Sequence, residues 1–513
     1  MKEERGRLMR VKAEIAPAVG AALLTAAGAY LRLRGLGSWG FWRDEAQCLF
    51  IAQKDFPAGI VQALLHEAHP PLYYVLQHFW IPLAGWGEFR IRLLSAIFGI
   101  LLVPLLYIVG RRLFGSWAGL WAAVWGAVAP LHTAVSQTAR MYSLLALLAL
   151  LSLWLLYEAW QRDSWWWAGH TLASLALLYT HNWGLLVWAC QNGFVLWMAL
   201  RRRPPLRRLL LWLMGQTAVG LLYLPWFFIL LRQIPFIAVL PFVPVPPPAE
   251  KLAQLAGDLL APWPMLLLWL ALLAWGLRPA RPQPVAPKGD GALGAVVFSS
   301  IGVLLVGLGV SLRTYGQVPS YVTMAVFPTL CLLVGRGLAG VRPAWLSLPL
   351  GILLVFFSLQ GLPRAQFMFR STLREVAAVV EERAGPADVI LIAPDYLATT
   401  FNIYYHGDQP QIAFPWTMRR LEEIDCVGWN ERWMRAAEAV PATLTAVEEK
   451  LEAGGRLWFI AAPDEFPDDE AYYGQVRRLK QLLDSRYLLV ESIRRFRSGT
   501  EWADIYVYRR RSD

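Results

Sequence analysis

Charge is what this sequence has least of. Only 17% of its 513 residues are Asp, Glu, Lys or Arg, where a soluble chain of this length carries about 25%. The apolar share is 57%, with 26 Trp, and the apolar stretches are almost free of Asp and Glu. Lipid is therefore the expected solvent for much of the chain. Cysteine is scarce as well. None of Cys48, Cys190, Cys331 and Cys426 forms a CxxC pair, so the spacing supports neither a zinc site nor a redox motif. Cys190 and Cys331 sit in apolar stretches and read as small core residues. Cys48 and Cys426 are too few to imply a disulfide framework. No internal repeat is visible. The net charge of +11 and pI near 9.6 come without any soluble stripe of Lys/Arg interleaved with aromatics, so nucleic acid is not an expected partner.

What is present is a series of apolar runs. A spanning helix needs about 20 such residues. Candidates lie near 14–33, 93–110, 116–135, 141–160, 165–182, 184–200, 209–231, 262–278, 293–312, 321–339 and 344–361, about eleven spans in all. The apolar stretch after Met1–Lys12 resembles a signal peptide, but without a clear small-residue cleavage site it is read as a retained first span. With the N-terminus cytoplasmic, even-numbered spans end at Arg111-Arg112, Arg201-Arg202-Arg203, Arg278 with Arg281, and Arg336 with Arg342. Each cluster falls on the side that the positive-inside rule requires. The expected localisation is a multi-pass protein of the cell membrane.

That topology puts a loop of about 35–90 and everything after about 362 outside the membrane on the extracytoplasmic side. Residues 1–364 thus form a transmembrane domain and 365–513 a second, extracytoplasmic domain. In the second, Asp388–Pro394 and Arg456–Ala462 read as buried strands and Asp504–Arg509 as a half-buried one. Helical patterns at Leu373–Arg383 and Thr443–Leu451 alternate with them, which suggests a small α/β layer fold. It contains no Gly-rich phosphate loop. Pro241–Pro248 cannot be helical and is expected as a stiff loop on the membrane face.

Polar residues able to do chemistry gather on that outer side. Asp44 and Glu45 follow Trp39, Phe41 and Trp42, aromatics suited to the membrane interface. One reading makes Asp44 a general base; the other makes the pair a cap for the next helix. His69 precedes Pro70-Pro71 and could bind an anion or a metal, or serve structure alone. Arg140, in Ser136–Tyr142, lies near membrane depth, where an unpaired cation is by default functional, and its guanidinium suits bidentate phosphate binding. Snorkelling to the interface is the alternative. Arg90 and Arg92 allow the same two readings. His181-Asn182 completes the set, which is what a reaction between a phosphate-linked lipid and an acceptor hydroxyl would need.

The succession Trp42-Arg43-Asp44-Glu45-Ala46, His69–Tyr74, Arg92–Gly99, Ser136–Tyr142 and Thr180-His181 resembles bacterial GT-C glycosyltransferases. More narrowly it is similar to the family 39 type, related to protein O-mannosyltransferases and to the lipid A aminoarabinose transferase. The resemblance covers about the first 200 residues. It implies a GT-C-like membrane fold and an inverting transfer of sugar from a polyprenyl-phosphate donor to an extracytoplasmic protein, lipid or glycan. It also implies that Asp44 is the base, with Glu45 in support, and that Arg140, His69 and Arg92 hold the donor phosphate. Gln137, Tyr142 and His181 belong to the same motifs and complete the expected binding set. Two positions depart from the family pattern. Thr138 stands where Glu is frequent, and Ser320-Tyr321 where an Arg-Tyr pair is frequent; Arg313 is the expected substitute. No cofactor is identified from the sequence, and a divalent metal near Asp44 and His69 is left open because no full ligand set is visible.

Two other classes make different expectations. A transporter or lipid flippase would bury ionisable residues mid-span and show repeated halves. A tethered binding protein would need one anchor rather than about eleven spans.

Overall fold

The computed structural model describes the whole chain except residues 1, 66, 163–164, 238–263, 279–290, 315–319, 416–434, 464–472 and 512–513. The expected Pro241–Pro248 loop and Cys426 lie outside the described residues. The protein is a polytopic α-helical bundle followed by a C-terminal α/β domain. Helices α1 (Lys2–Leu33), α2 (Arg43–Ala52), α3 (Ala58–Leu64), α4 (Leu72–Ala84), α5 (Glu88–Phe114), α6 (Ser116–Val128), α7 (Pro130–Ser136), α8 (Tyr142–Arg162), α9 (Trp166–Thr180), α10 (Gly184–Arg202) and α11 (Leu206–Ile237) open the chain. Helices at Pro264–Leu277, Ala292–Val297, Val303–Thr314, Ser320–Gly340 and Ser347–Phe367 follow.

Every apolar stretch seen in the sequence is helical over most of its length. Among the described residues, six helices are long and apolar enough to cross a membrane, or up to seven if one bent pair counts as a span. Others are shorter; α9 has 15 residues. The bent pair corrects the expected continuous span at 116–135: α6 and α7 meet at 60°. Pro130 causes the break. It has no N–H to give the Gly126 carbonyl, and it drives Ala129 to an extended ψ of 124°. The freed carbonyls are taken by Arg32 of α1, whose Nη2 donates to Gly126 O at 2.8 Å and Nη1 to Ala127 O at 3.0 Å.

Close packing sets the bundle around this bend. A Cβ on Gly110 would lie 2.6 Å from Gly119 Cα, so α5 and α6 cross with their backbones in contact, as small residues permit. The C-terminal ends of α5 and α8 are joined by the Arg112–Glu158 ion pair. The beginnings of α5 and α8 lie at the other end, and that end carries the candidate site.

Among the described residues the C-terminal domain holds five strands: β1 (Val389–Ala393), β2 (Gln411–Ala413), β3 (Arg456–Ala461), β4 (Tyr487–Ile493) and β5 (Asp504–Arg510), in spatial order β2-β1-β3-β5-β4. β1 runs parallel to β2 and β3, while β5 is antiparallel to both β3 and β4. All five residues of β1 are buried, which follows from helices covering both faces. Val389 and Leu391 pack with Val440 and Val476 on one face; Ile390 and Ile392 pack with Val376 and Phe401 on the other. The helix expected at Thr443–Leu451 begins earlier, at Ala436, and carries Pro441 beyond its first turn, where the missing N–H leaves the Ala437 carbonyl without its i+4 donor.

Candidate active site

The loop between α1 and α4 supplies the carboxylates. Trp42 is the N-cap of α2, and the Glu45 side chain reaches back to accept its N–H at 3.2 Å. The capping role thus falls to Glu45 and not to Asp44. Glu45 is fully buried and takes three further bonds: from Arg92 Nε at 2.8 Å, from Arg92 Nη2 at 2.7 Å and from the Ala139 N–H at 2.7 Å. Arg92 is saturated in turn. Its Nη1 donates to Leu36 O and Trp39 O, and its Nη2 also to Gly40 O. All five N–H groups are in use, so the expected phosphate contact from Arg92 is corrected: the residue is a brace that fixes the loop to α5. Gln137 is likewise committed. Its Nε2 donates to Leu31 O, Arg32 O and Arg34 O at the end of α1, and its Oε1 accepts from Gln366.

Asp44, one residue before Glu45, has a different setting. Its side chain is 23% exposed and, among the described residues, its one ion pair is a loose one with Arg43, with Nε 3.7 Å from Oδ1. Arg140 lies beside it, donating from Nη1 to the Asp44 carbonyl at 3.1 Å. Arg140 is 2% exposed, forms no ion pair with a carboxylate among the described residues, and its buried Nε has no hydrogen-bond partner there. Burial opposes its charge, but the hydroxyls of Tyr74 and Tyr142 with Asp44 and Glu67 outweigh it and hold the guanidinium well above its ordinary value. The Arg140 guanidinium is 6.0 Å from the Tyr142 ring centre.

His69 and His181 meet at the same place, their rings 5.1 Å apart. Asn182 Nδ2 donates to Ala68 O at 2.8 Å, tying the His69 loop to the turn between α9 and α10. Arg313 lies in the helix Val303–Thr314, but its side chain is outside the described residues, as are those of Ser320 and Tyr321.

One residue of this site escaped the sequence reading. Glu67 is 6% exposed; it accepts from Gln47 Nε2 and lies 2.8 Å from His69 Nδ1. Burial disfavours its charge, yet the His69 hydrogen bond, the His69 and Arg140 charges and the Ala68 amide hold its carboxyl down at about 2. The available signal was its place two residues before His69. Among the described residues no three His, Cys, Asp or Glu side chains gather to hold a metal ion; Glu67 and His69 offer two donors, joined by a hydrogen bond of their own.

The assembled parts are an accessible carboxylate, a buried and under-bonded guanidinium, and a pair of histidine rings, all at one end of a helical bundle. Comparison with known proteins finds similar overall folds elsewhere. The chain is similar to the crystal structure of ArnT from Cupriavidus metallidurans bound to undecaprenyl phosphate, at 14% identity and TM-score 0.61 over 95% of this chain and 97% of that one. The chain has the GT-C fold. The same fold is matched in the apo oligosaccharyltransferase of Archaeoglobus fulgidus, at 12% identity and TM-score 0.55 over 89% of this chain and 70% of that one. Mycobacterial arabinofuranosyltransferase AftD matches at 16% identity and TM-score 0.51, over 97% of this chain but 40% of that one. A family model described as dolichyl-phosphate-mannose-protein mannosyltransferase matches residues 68–228, which takes in His69, Arg92, Arg140 and His181 and leaves out Asp44. No curated protein matches the sequence.

Proposed function

We propose that the chain is an inverting glycosyltransferase that moves a sugar from a polyprenyl-phosphate donor to a hydroxyl-bearing acceptor. The observation that carries this reading is Arg140, a buried guanidinium with one hydrogen bond and no carboxylate partner among the described residues. A cation in that state suits an anion, and a phosphate oxygen pair fits its planar fork. The undecaprenyl phosphate of the ArnT structure supports the donor class.

Asp44 serves as the base. It takes the proton of the acceptor hydroxyl as that oxygen attacks the anomeric carbon from the face opposite the phosphate. The bond from carbon to phosphate oxygen breaks, and its electron pair leaves with the polyprenyl phosphate, whose charge Arg140 stabilises. One displacement inverts the anomeric centre. Tyr142, His69 and His181 line the phosphate side, Glu67 orients His69, and Glu45 with Arg92 holds Asp44 opposite Arg140. A divalent cation would find Glu67 and His69 as ligands and could add Lewis-acid charge at the phosphate; no step depends on it. The accompanying topology keeps the N-terminus cytoplasmic and sets this site and the domain after about residue 364 on the extracytoplasmic side.

A transporter would want ionisable groups inside the bundle, and Arg32 and His132 are buried there. Arg32, however, directs Nη1 and Nη2 to the carbonyls freed at Pro130 and to His132 Nδ1 at 3.0 Å, which is a structural duty.

Transfer from a panel of radiolabelled polyprenyl-phosphate sugars in membranes, with Asp44→Asn as the comparison, tests the proposal. Loss of transfer in an inserted, folded variant supports Asp44 as base. Equal transfer by both removes it from that role.

A further inference from the structure

The C-terminal domain does not merely hang from the last membrane helix; it is hydrogen-bonded to the segment that carries the candidate base. The contact is made by the end of the helix Leu397–Tyr404. The Phe41 N–H donates to the Tyr404 hydroxyl at 2.6 Å, and that hydroxyl donates to Glu88 Oε1 at 3.1 Å. Glu88 opens α5, four residues before Arg92. The Tyr404 ring stacks on Phe41 at 6.2 Å between centres and 20° between planes.

Neighbouring contacts fix the same short stretch. Arg374 donates to Glu88 Oε1 at 2.9 Å and to Ser38 O at 3.0 Å. Gly40 pairs with Ser371 as an antiparallel bridge, and Ser371 pairs with Glu501, so residue 40 is added to the domain's own backbone pairing. A Cβ on Gly40 would meet Arg374 Cβ at 3.1 Å and the Tyr404 hydroxyl at 3.4 Å. From the other side, Arg92 grips Gly40 O and Glu45. Residues 38–41 are thus clamped between the C-terminal domain and α5, three residues short of Asp44.

We infer that Tyr404 is a positioning residue for the transfer, acting through Phe41 and Glu88 to hold Asp44 in register with Arg140. The inference rests on the glycosyl-transfer reading above. Its physical basis is that a reacting pair must be held to a fraction of an ångström, and a 1 Å displacement made at a distance can cost roughly 100-fold. The hydroxyl is the part that matters, because it joins a backbone amide of the first loop to a carboxylate of α5. Burial pushes that hydroxyl far above the usual tyrosine range, so it remains a donor at every working pH.

The test uses the full chain in lipid nanodiscs and Tyr404→Phe, which keeps the ring stack and removes both hydrogen bonds. Two quantities are read: amide exchange over residues 38–45, and kcat and KM for the polyprenyl-phosphate sugar. The expected result is faster exchange at Phe41 and the first turn of α2, with kcat down roughly 10- to 100-fold and donor KM within about twofold, since Arg140 stands on another element. A merely structural role would lower the amount of folded protein and leave kcat per folded molecule unchanged. Exchange and kcat equal to those of the unaltered protein overturn the inference, and so does a change confined to KM. Failure of the unaltered protein to transfer any sugar sinks the transferase reading instead, and unchanged exchange at Phe41 in the variant still overturns the latch without turnover.

Discussion

Arg92 grips both carboxylate oxygens of Glu45, at 2.8 Å and 2.7 Å, across 47 residues of sequence. Through that grip the first loop is bound to α5, and through the Ala139 N–H on the same carboxylate it is bound to the turn that carries Arg140. Two catalytic candidates on separate elements, Asp44 and Arg140, are therefore set one against the other by a buried ion pair.

Breaking that pair should cost stability first. Removing one partner leaves a buried charge alone, at about 3–5 kcal/mol. Glu45→Gln and Arg92→Ala are each expected to lower the melting temperature in detergent and to abolish transfer. Arg92→Lys should rescue neither, because a lysine cannot reproduce five directed donors. Normal melting and turnover in the Arg92→Lys variant would contradict the brace.

Asp44 should separate chemistry from stability. Its carboxylate is partly exposed and has only a loose contact with Arg43, so Asp44→Asn is expected to lower the melting temperature far less than Glu45→Gln does. Turnover should fall by a factor of about 100 or more, the share of a positioned base. Circular-dichroism melting beside the transfer assay reads both.

Arg140 should tie the two together. Its surroundings favour the cation in the folded protein, so Arg140→Met is expected to lower the melting temperature as well as to abolish transfer. Undecaprenyl phosphate should raise the melting temperature of the unaltered protein, as a ligand of the folded state does, and should not raise that of the variant. An equal shift in both would remove Arg140 from the phosphate site.

Glu67 makes a pH prediction. Its carboxyl is lowered from 4.5 to about 2 in the folded protein, so the unfolded chain binds the proton more tightly. Its contribution is complete above about pH 5 and is lost as pH falls from there through about 2. The size is about 3 kcal/mol, at 1.36 kcal/mol per unit. His69→Phe removes the partner whose hydrogen bond heads the causes lowering it, and should destabilise the protein at neutral pH and flatten the loss between pH 5 and 3. Melting temperatures across that range decide it; parallel curves for the two proteins would refute the coupling.

Much of the site was legible before the fold. Asp44, His69, Arg140 and His181 were singled out because ionisable residues beside apolar runs are costly in lipid and stand out for that reason. Glu67 was passed over because a lone carboxylate in a polar loop has no local pattern; its burial and its partner Gln47, 20 residues earlier, exist only in three dimensions. Arg92 carried the same sequence signal as Arg140, and Gln137 the same motif, yet their donors are filled by main-chain carbonyls and by Glu45. Which arginine is left under-bonded depends on where neighbouring backbones end, and the motif does not encode that locally.

The sequence by itself determined that this chain lies in a membrane, which stretches are helical, and that a second α/β domain follows, because hydrophobic length and period are local properties of the chain. Only the tertiary structure decided which side chain takes the carbonyls freed at Pro130, the division of labour between Asp44 and Glu45, and the docking of Tyr404 onto the first loop. Each of these rests on hydrogen bonds between residues distant in sequence, and their geometry is fixed only when the helices pack.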